Sequence, residues 1–143
     1  MKLHIIILFL LGLSVNAQKQ DVQKSIEIFF EGFHEKDTLK MQSVCSSGII
    51  LQSISESISK GNKLSDESSE KFYRSIASIP SSTKFQEKIL SYTIQIDGSM
   101  AHVWAPYEFY LSNKLSHSGV NTFTLFKDNN IWKIIYLIDT RRK

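Results

Sequence analysis

Five polar side chains in the last third of the chain recur at spacings that bring them onto one wall. Tyr92, Tyr107, His117, Asn121 and Tyr136 fall at the same parity of four consecutive strands, among residues that are otherwise apolar. Phenols and a carboxamide donate and accept hydrogen bonds, and a neutral imidazole can take a proton. Such a set on an apolar wall suits the binding of a small molecule. It also suits chemistry, with His117 as general base and Tyr107 as donor to a developing oxyanion. These two are diagonal neighbours on adjacent strands, about 7–8 Å apart, and Asn121 can orient the ring or a ligand carbonyl. The alternative is purely structural: a histidine satisfied near a hairpin end and core tyrosines with bonded hydroxyls. Asp139 is the third catalytic candidate. Its parity puts it on the opposite face, beside Arg141, unless one more residue in the last turn swings it inward.

The four strands follow from alternation. Residues 89–97 alternate, with Tyr92, Ile94 and Ile96 against Thr93, Gln95 and Asp97. A two-residue turn at Gly98-Ser99 pairs Ile96 with Ala101, Ile94 with Val103 and Tyr92 with Ala105. The second strand then places Ala101, Val103, Ala105, Tyr107 and Phe109 on that face, with Pro106 marking a bulge or an unpaired edge. A three-residue loop at Ser112-Asn113-Lys114 sets Phe109 opposite His117 and Tyr107 opposite Gly119. A turn at Asn129-Asn130 pairs Leu125 with Ile134 and Phe123 with Tyr136. Three turns of suitable chemistry agree on one face, and a slip of one residue would exchange the faces.

Helices supply the cover. Val22, Ile26, Phe29, Phe30 and Phe33 form one amphipathic stripe, capped by Asp21 and ended by Glu35-Lys36-Asp37. Asp37 opens a second, short helix through Leu39, Met41 and Val44. Residues 48–54 form a short strand, and the serine-rich stretch 46–69 with Gly61-Asn62 reads as loop. Asp66 caps a third helix carrying Phe72, Ile76 and Ile79, which Pro80 stops.

Met1-Lys2, the apolar run from Ile5 to Leu13 and the small residues before Gln18 have the pattern of a cleavable secretory signal over 1–17. The run is shorter than the roughly 20 residues a membrane span needs. The expected destination is therefore periplasmic or secreted, with no stable membrane anchor after cleavage. Residues 18–143 make a single domain. Cys45 is the only cysteine, so no intrachain disulfide forms, and its expected role is that of a small buried hydrophobe. The formal charge is +3, and the basic residues cluster only at Arg141-Arg142-Lys143. That is too short a footprint for nucleic acid and reads as a solvated tail. His34, His102 and His117 lack metal-ligand spacing, and isolated glycines form no phosphate cradle, so neither metal nor cofactor is expected.

The order of helix, short helix, strand, helix and four-stranded meander resembles the nuclear transport factor 2-like superfamily, which includes ketosteroid isomerases and SnoaL-type cyclases. Phe33-His34-Glu35-Lys36-Asp37, the stretch from Gly98 to Tyr107, and Ser116-His117-Ser118-Gly119-Val120 are similar to its small secreted bacterial members. So is the closing run from Ile131-Trp132-Lys133-Ile134 to Asp139-Thr140-Arg141. The resemblance implies an α+β fold, a curved antiparallel sheet wrapped around N-terminal helices to make a cone-like pocket, and a homodimer. It includes isomerases, cyclases, dehydratases and non-catalytic association domains. Isomerases need a pocket carboxylate, and the face assigned above carries no Asp or Glu. The expected function is binding of a small apolar or aromatic molecule. An acid–base enzyme and a non-catalytic dimerisation domain remain as alternatives.

Overall fold

The computed structural model describes residues 2–143, with side chains from Asn16 onward. The side chains of the expected leader, up to Val15, therefore lie outside the described residues. Among those described, no helix is long and apolar enough to cross a membrane. The chain runs α1 (Lys2–Glu35), α2 (Thr38–Ser43), β1 (Cys45–Ser55), β2 (Lys63–Glu67), α3 (Ser69–Ala77), β3 (Phe85–Ile89), β4 (Thr93–Asp97), β5 (Met100–Leu111), β6 (Lys114–Asp128) and β7 (Ile131–Arg141).

The stripe of α1 faces the sheet: Val22, Ile26, Phe29 and Phe30 are buried, and Phe33 is half-buried. Asp21 lies inside this helix, so it does not cap it. Lys36 closes α1 in the left-handed region at φ 60, and the Asp37 N–H returns to the Gly32 carbonyl at 2.8 Å. Asp37 then caps α2 by accepting from the Lys40 N–H at 3.0 Å. Gly32 permits this tight reversal, because a Cβ there would meet the Asp37 carbonyl and Met41 Cγ at 2.8 Å each.

The sheet has seven strands in the order β2-β1-β7-β6-β5-β3, with β4 also paired to β5. Only β1 and β7 run parallel; the other pairs are antiparallel. The sheet curves around α1, with the core between them: Trp132, Tyr107, Phe123, Leu125 and Ile134 from the sheet, Phe29 and Ile26 from the helix. The architecture is the α+β cone expected from the sequence.

Several local readings need correction. Part of the serine-rich stretch is a strand: β2 pairs with β1 from Leu51↔Glu67 to Ser55↔Lys63. With Leu64 as its one apolar residue, it sits at the sheet edge and carries no burial pattern. Asp66 belongs to β2, and Ser68 caps α3 instead, accepting from the Lys71 N–H at 3.3 Å. The strand expected over 89–97 is two strands separated by Leu90-Ser91-Tyr92. Both pair with β5, from Phe85↔Leu111 to Ile89↔Tyr107 and from Thr93↔Trp104 to Asp97↔Met100. The break lies opposite Ala105 and Pro106, where the proline has no N–H to give the ladder.

The hairpin turns behave as their chemistry demands. Gly98-Ser99 and Asn129-Asn130 are two-residue turns, with positive φ at Gly98, Asn129 and Asn130. The β5–β6 loop is also two residues, Ser112 and Asn113 at φ 49 and 64, not three. A bulge near Tyr110 compensates, so Phe109↔His117 and Tyr107↔Gly119 pair as expected.

Candidate ligand-binding site

A second bulge decides the site. Leu125 pairs with Ile134, but Thr124 pairs with Tyr136, leaving Ile135 as the extra residue of β7. Beyond it the faces of β7 are exchanged. Leu137, opposite Phe123, and Asp139, opposite Asn121, turn inward. Tyr136 and Ile138 turn outward. The expectation that Tyr136 lines the pocket is therefore corrected: its hydroxyl donates to Gln52 Oε1, and it stands beside Thr124 and Ile50. Asp139, expected on the outer face, is a pocket residue. The Ile135 bulge does what an extra residue in the turn would have done.

Between α1, α3 and the concave sheet lies a cavity of about 720 Å³. Its apolar wall is aromatic, made by Phe29, Phe30 and Phe33 of α1, Phe72 of α3, Phe85 of β3 and Phe109 of β5. The rings pack on one another, as Phe33 on Phe85 with centroids 5.0 Å apart and Phe85 stacked on Phe109 at 6.1 Å. Tyr107, His117 and Asn121 line the same cavity. Tyr92 does not: it falls in the break between β3 and β4 and packs against the core near Glu27.

The polar groups converge on one side. Asn121 is buried, and its Nδ2 donates to Glu87 Oε1 at 2.6 Å. Tyr107, also buried, has its hydroxyl 2.9 Å from the Thr140 carbonyl and 3.2 Å from Asp139 Oδ2. Arg141 donates from Nε to the same Oδ2 at 2.7 Å. The expected solvated tail is thus corrected: Arg141 binds Asp139, and the Arg142 backbone still pairs with Ser118 of β6. His117 stacks on Phe109 with centroids 4.8 Å apart and presents its edge to Tyr107 at 5.9 Å. Its Nδ1 lies 3.2 Å from the Ser116 hydroxyl.

Gly119 makes this crowding possible. It pairs with Tyr107 of β5, and a Cβ there would fall 1.7 Å from the Thr140 carbonyl oxygen and 3.0 Å from Tyr107 Cε1. Only a residue without a side chain lets the end of β7 approach the Tyr107 hydroxyl.

Glu87 is the residue the sequence reading missed. With Asp139 it overturns the statement that the pocket face has no carboxylate. A signal was present: in Phe85-Gln86-Glu87-Lys88-Ile89, Glu87 has the parity of two apolar neighbours. The strand was expected to begin only at Ile89, so that parity went unused. Strand β3 is held from outside by α1, since His34 Nε2 accepts the Glu87 backbone N–H at 3.0 Å.

Desolvation governs the titration of the site. Burial pushes the Glu87 carboxyl up to about 7; the Asn121 hydrogen bond opposes this and the Asp139 carboxylate adds to it. Burial, with help from Arg141, lowers His117 below the usual imidazole value. Burial lowers His34 too, against the hydrogen bond from Glu87. Tyr107 is raised by burial first and by Asp139 and Glu87 next. At neutral pH both histidines are therefore acceptors, and Glu87 is divided between acid and carboxylate. No group of metal-ligating side chains is found among the described residues.

No family model matches the chain, and no curated protein matches it by sequence. Its fold, however, is shared. An NTF2-like protein of unknown function from Shewanella baltica superposes with a TM-score of 0.64 at 17% identity, covering 89% of this chain and 95% of its own. The chain has the NTF2-like fold. A protein of unknown function from Mycobacterium tuberculosis gives a TM-score of 0.74 at 10% identity, over 91% of this chain and 75% of that one. A provisionally assigned dehydratase of the NTF2-like family from Streptomyces avermitilis gives 0.67 at 14% identity, over 90% and 98%. At these identities the likeness is one of fold, and function must be argued from the site.

Proposed function

We propose that this chain is an exported NTF2-like protein that binds a small, mostly apolar or aromatic molecule in its cone. The observation that carries the reading is the cavity of about 720 Å³, walled by phenylalanines with polar groups gathered on one side. Ligand sites have this size and this distribution of polarity, and a cone serving only for association needs no such space. Export is supported by the leader pattern over 1–17, and the mature chain is expected to begin at Gln18 on N-terminal sequencing. Pairing of two copies through the outer sheet face is supported by Met100 and Phe126, cross-strand partners exposed there, and by Trp104, exposed further along the same face of β5.

A specific observation favours acid–base catalysis as a second reading. Glu87, raised to about 7, lines the cavity with Tyr107 and Asp139. A carboxyl of that basicity can both take and return a proton at neutral pH.

Native mass spectrometry of the protein purified from its own host tests the binding reading. A retained small molecule, lost on denaturation, is expected. His117→Phe should fold normally yet retain less of it, because a ring of similar size replaces a polar contact. An adduct-free protein that also fails to take up Nile red would overturn the reading.

A further inference from the structure

The cavity has an electrostatic bias that narrows the class of its ligand. Asn121 satisfies Oε1 of Glu87, while Oε2 accepts no hydrogen bond from the described residues. The one guanidinium at the site, that of Arg141, is engaged by Asp139 at 2.7 Å. Asp66 and Glu67 of β2 also line the cavity, against Lys71 of α3 as the further cation. Four carboxyls thus face two basic groups. The aromatic wall adds to this bias, since the faces of its rings attract cations.

We propose that the ligand is a small aromatic or cyclic amine, whose ammonium group donates to Glu87 Oε2 while its ring lies against the phenylalanines. This inference rests on the pocket reading above and names its ligand class. Removing a carboxyl from water is costly unless it is protonated or meets a cation, and an entering ammonium is that cation. The same contact couples binding to a proton. The groups around Glu87 are Tyr107 on β5, Asn121 and His117 on β6, Asp139 and Arg141 on β7, and His34 on α1 at its backbone. None of them carries a free positive charge toward Oε2. An ammonium stabilises the charged form of Glu87, so binding releases the proton that the empty site holds below about 7. Affinity for the amine should rise with pH and level off above that value. A neutral ligand that accepts a hydrogen bond from the protonated acid would show the opposite dependence.

The test is isothermal titration of the full chain with 2-phenylethylamine and with 2-phenylethanol, which match in shape and differ in charge. Titrations at pH 6 and 8, in buffers of different ionisation enthalpy, report the proton. The amine should bind at least about tenfold more tightly than the alcohol at pH 8, a difference within reach of one charged hydrogen bond. It should release a fraction of a proton at pH 6. Glu87→Gln should abolish the preference, the amine binding no more tightly than the alcohol, since the amide keeps the shape and the Asn121 contact but carries no charge. Equal or tighter binding of the alcohol would overturn the proposal, as would an amine affinity unmoved by Glu87→Gln. If neither probe binds but Nile red does, the amine class falls and the pocket stands. If Nile red is excluded as well, both fall.

Discussion

Glu87→Gln should make the protein more stable, and more so as pH rises. The variant keeps the carbonyl oxygen that accepts from Asn121 Nδ2 and removes the group that resists ionisation. Burial holds the Glu87 carboxyl at about 7, against an ordinary value of 4.5. The folded state therefore binds the proton more tightly than the unfolded state. The stability contributed by the neutral acid is fully present below pH 4.5 and is lost as pH rises through 7. At about 1.4 kcal/mol for each tenfold change in proton affinity, the loss approaches about 3 kcal/mol above pH 8. A glutamine does not titrate and so escapes it. Urea unfolding of both proteins at pH 4.5 and at pH 8.5 measures this directly. The difference should be near zero in acid and grow to about 2–3 kcal/mol in favour of glutamine in base. His34 and His117, both lowered by burial, lose stability as pH falls through their range, but they do so equally in both proteins. A difference that stays constant with pH would show that Glu87 is not held protonated, and the reasoning from its burial would fail.

Gly119→Ala should cost at least about 2 kcal/mol by urea unfolding, as overpacking against rigid backbone does. The added Cβ would overlap the Thr140 carbonyl at 1.7 Å; an unchanged midpoint would refute the close approach. His34→Leu should cost about 1–3 kcal/mol by leaving the Glu87 N–H without its acceptor. His34→Gln should restore part of that loss by thermal unfolding, and equal losses in the two variants would mean that the hydrogen bond contributes nothing.

Most of the cone is legible in the sequence, because its signals are local. The stripe from Val22 to Phe33 buries itself at helical spacing. Asp37 caps the helix it precedes, and the turns at Gly98-Ser99 and Asn129-Asn130 carry residues that tolerate positive φ. From these turns, alternation alone places Ile94, Val103, Phe123 and Leu125 on one wall. The same logic brought Tyr107, His117 and Asn121 to the cavity, since no bulge lies between them and the turns in a way that changes their parity.

What alternation cannot contain is a change of parity. The Ile135 bulge answers to the curvature of a sheet that must bend around α1, and that demand is tertiary. No residue near Ile135 announces it, yet it exchanges Tyr136 for Leu137 and carries Asp139 into the cavity. The break at Leu90-Ser91-Tyr92 has the same origin: it takes Tyr92 out of the wall and leaves β3 to deliver Glu87. Strand β2 is polar and exists through pairing with β1, a contact between residues that local spacing does not link. Residue types and their period determined the fold, the aromatic wall and the donors. Asp139 was carried into the site by where the sheet had to bend, whereas Glu87 keeps the parity of Phe85 and Ile89 in a strand that only pairing with β5 defines.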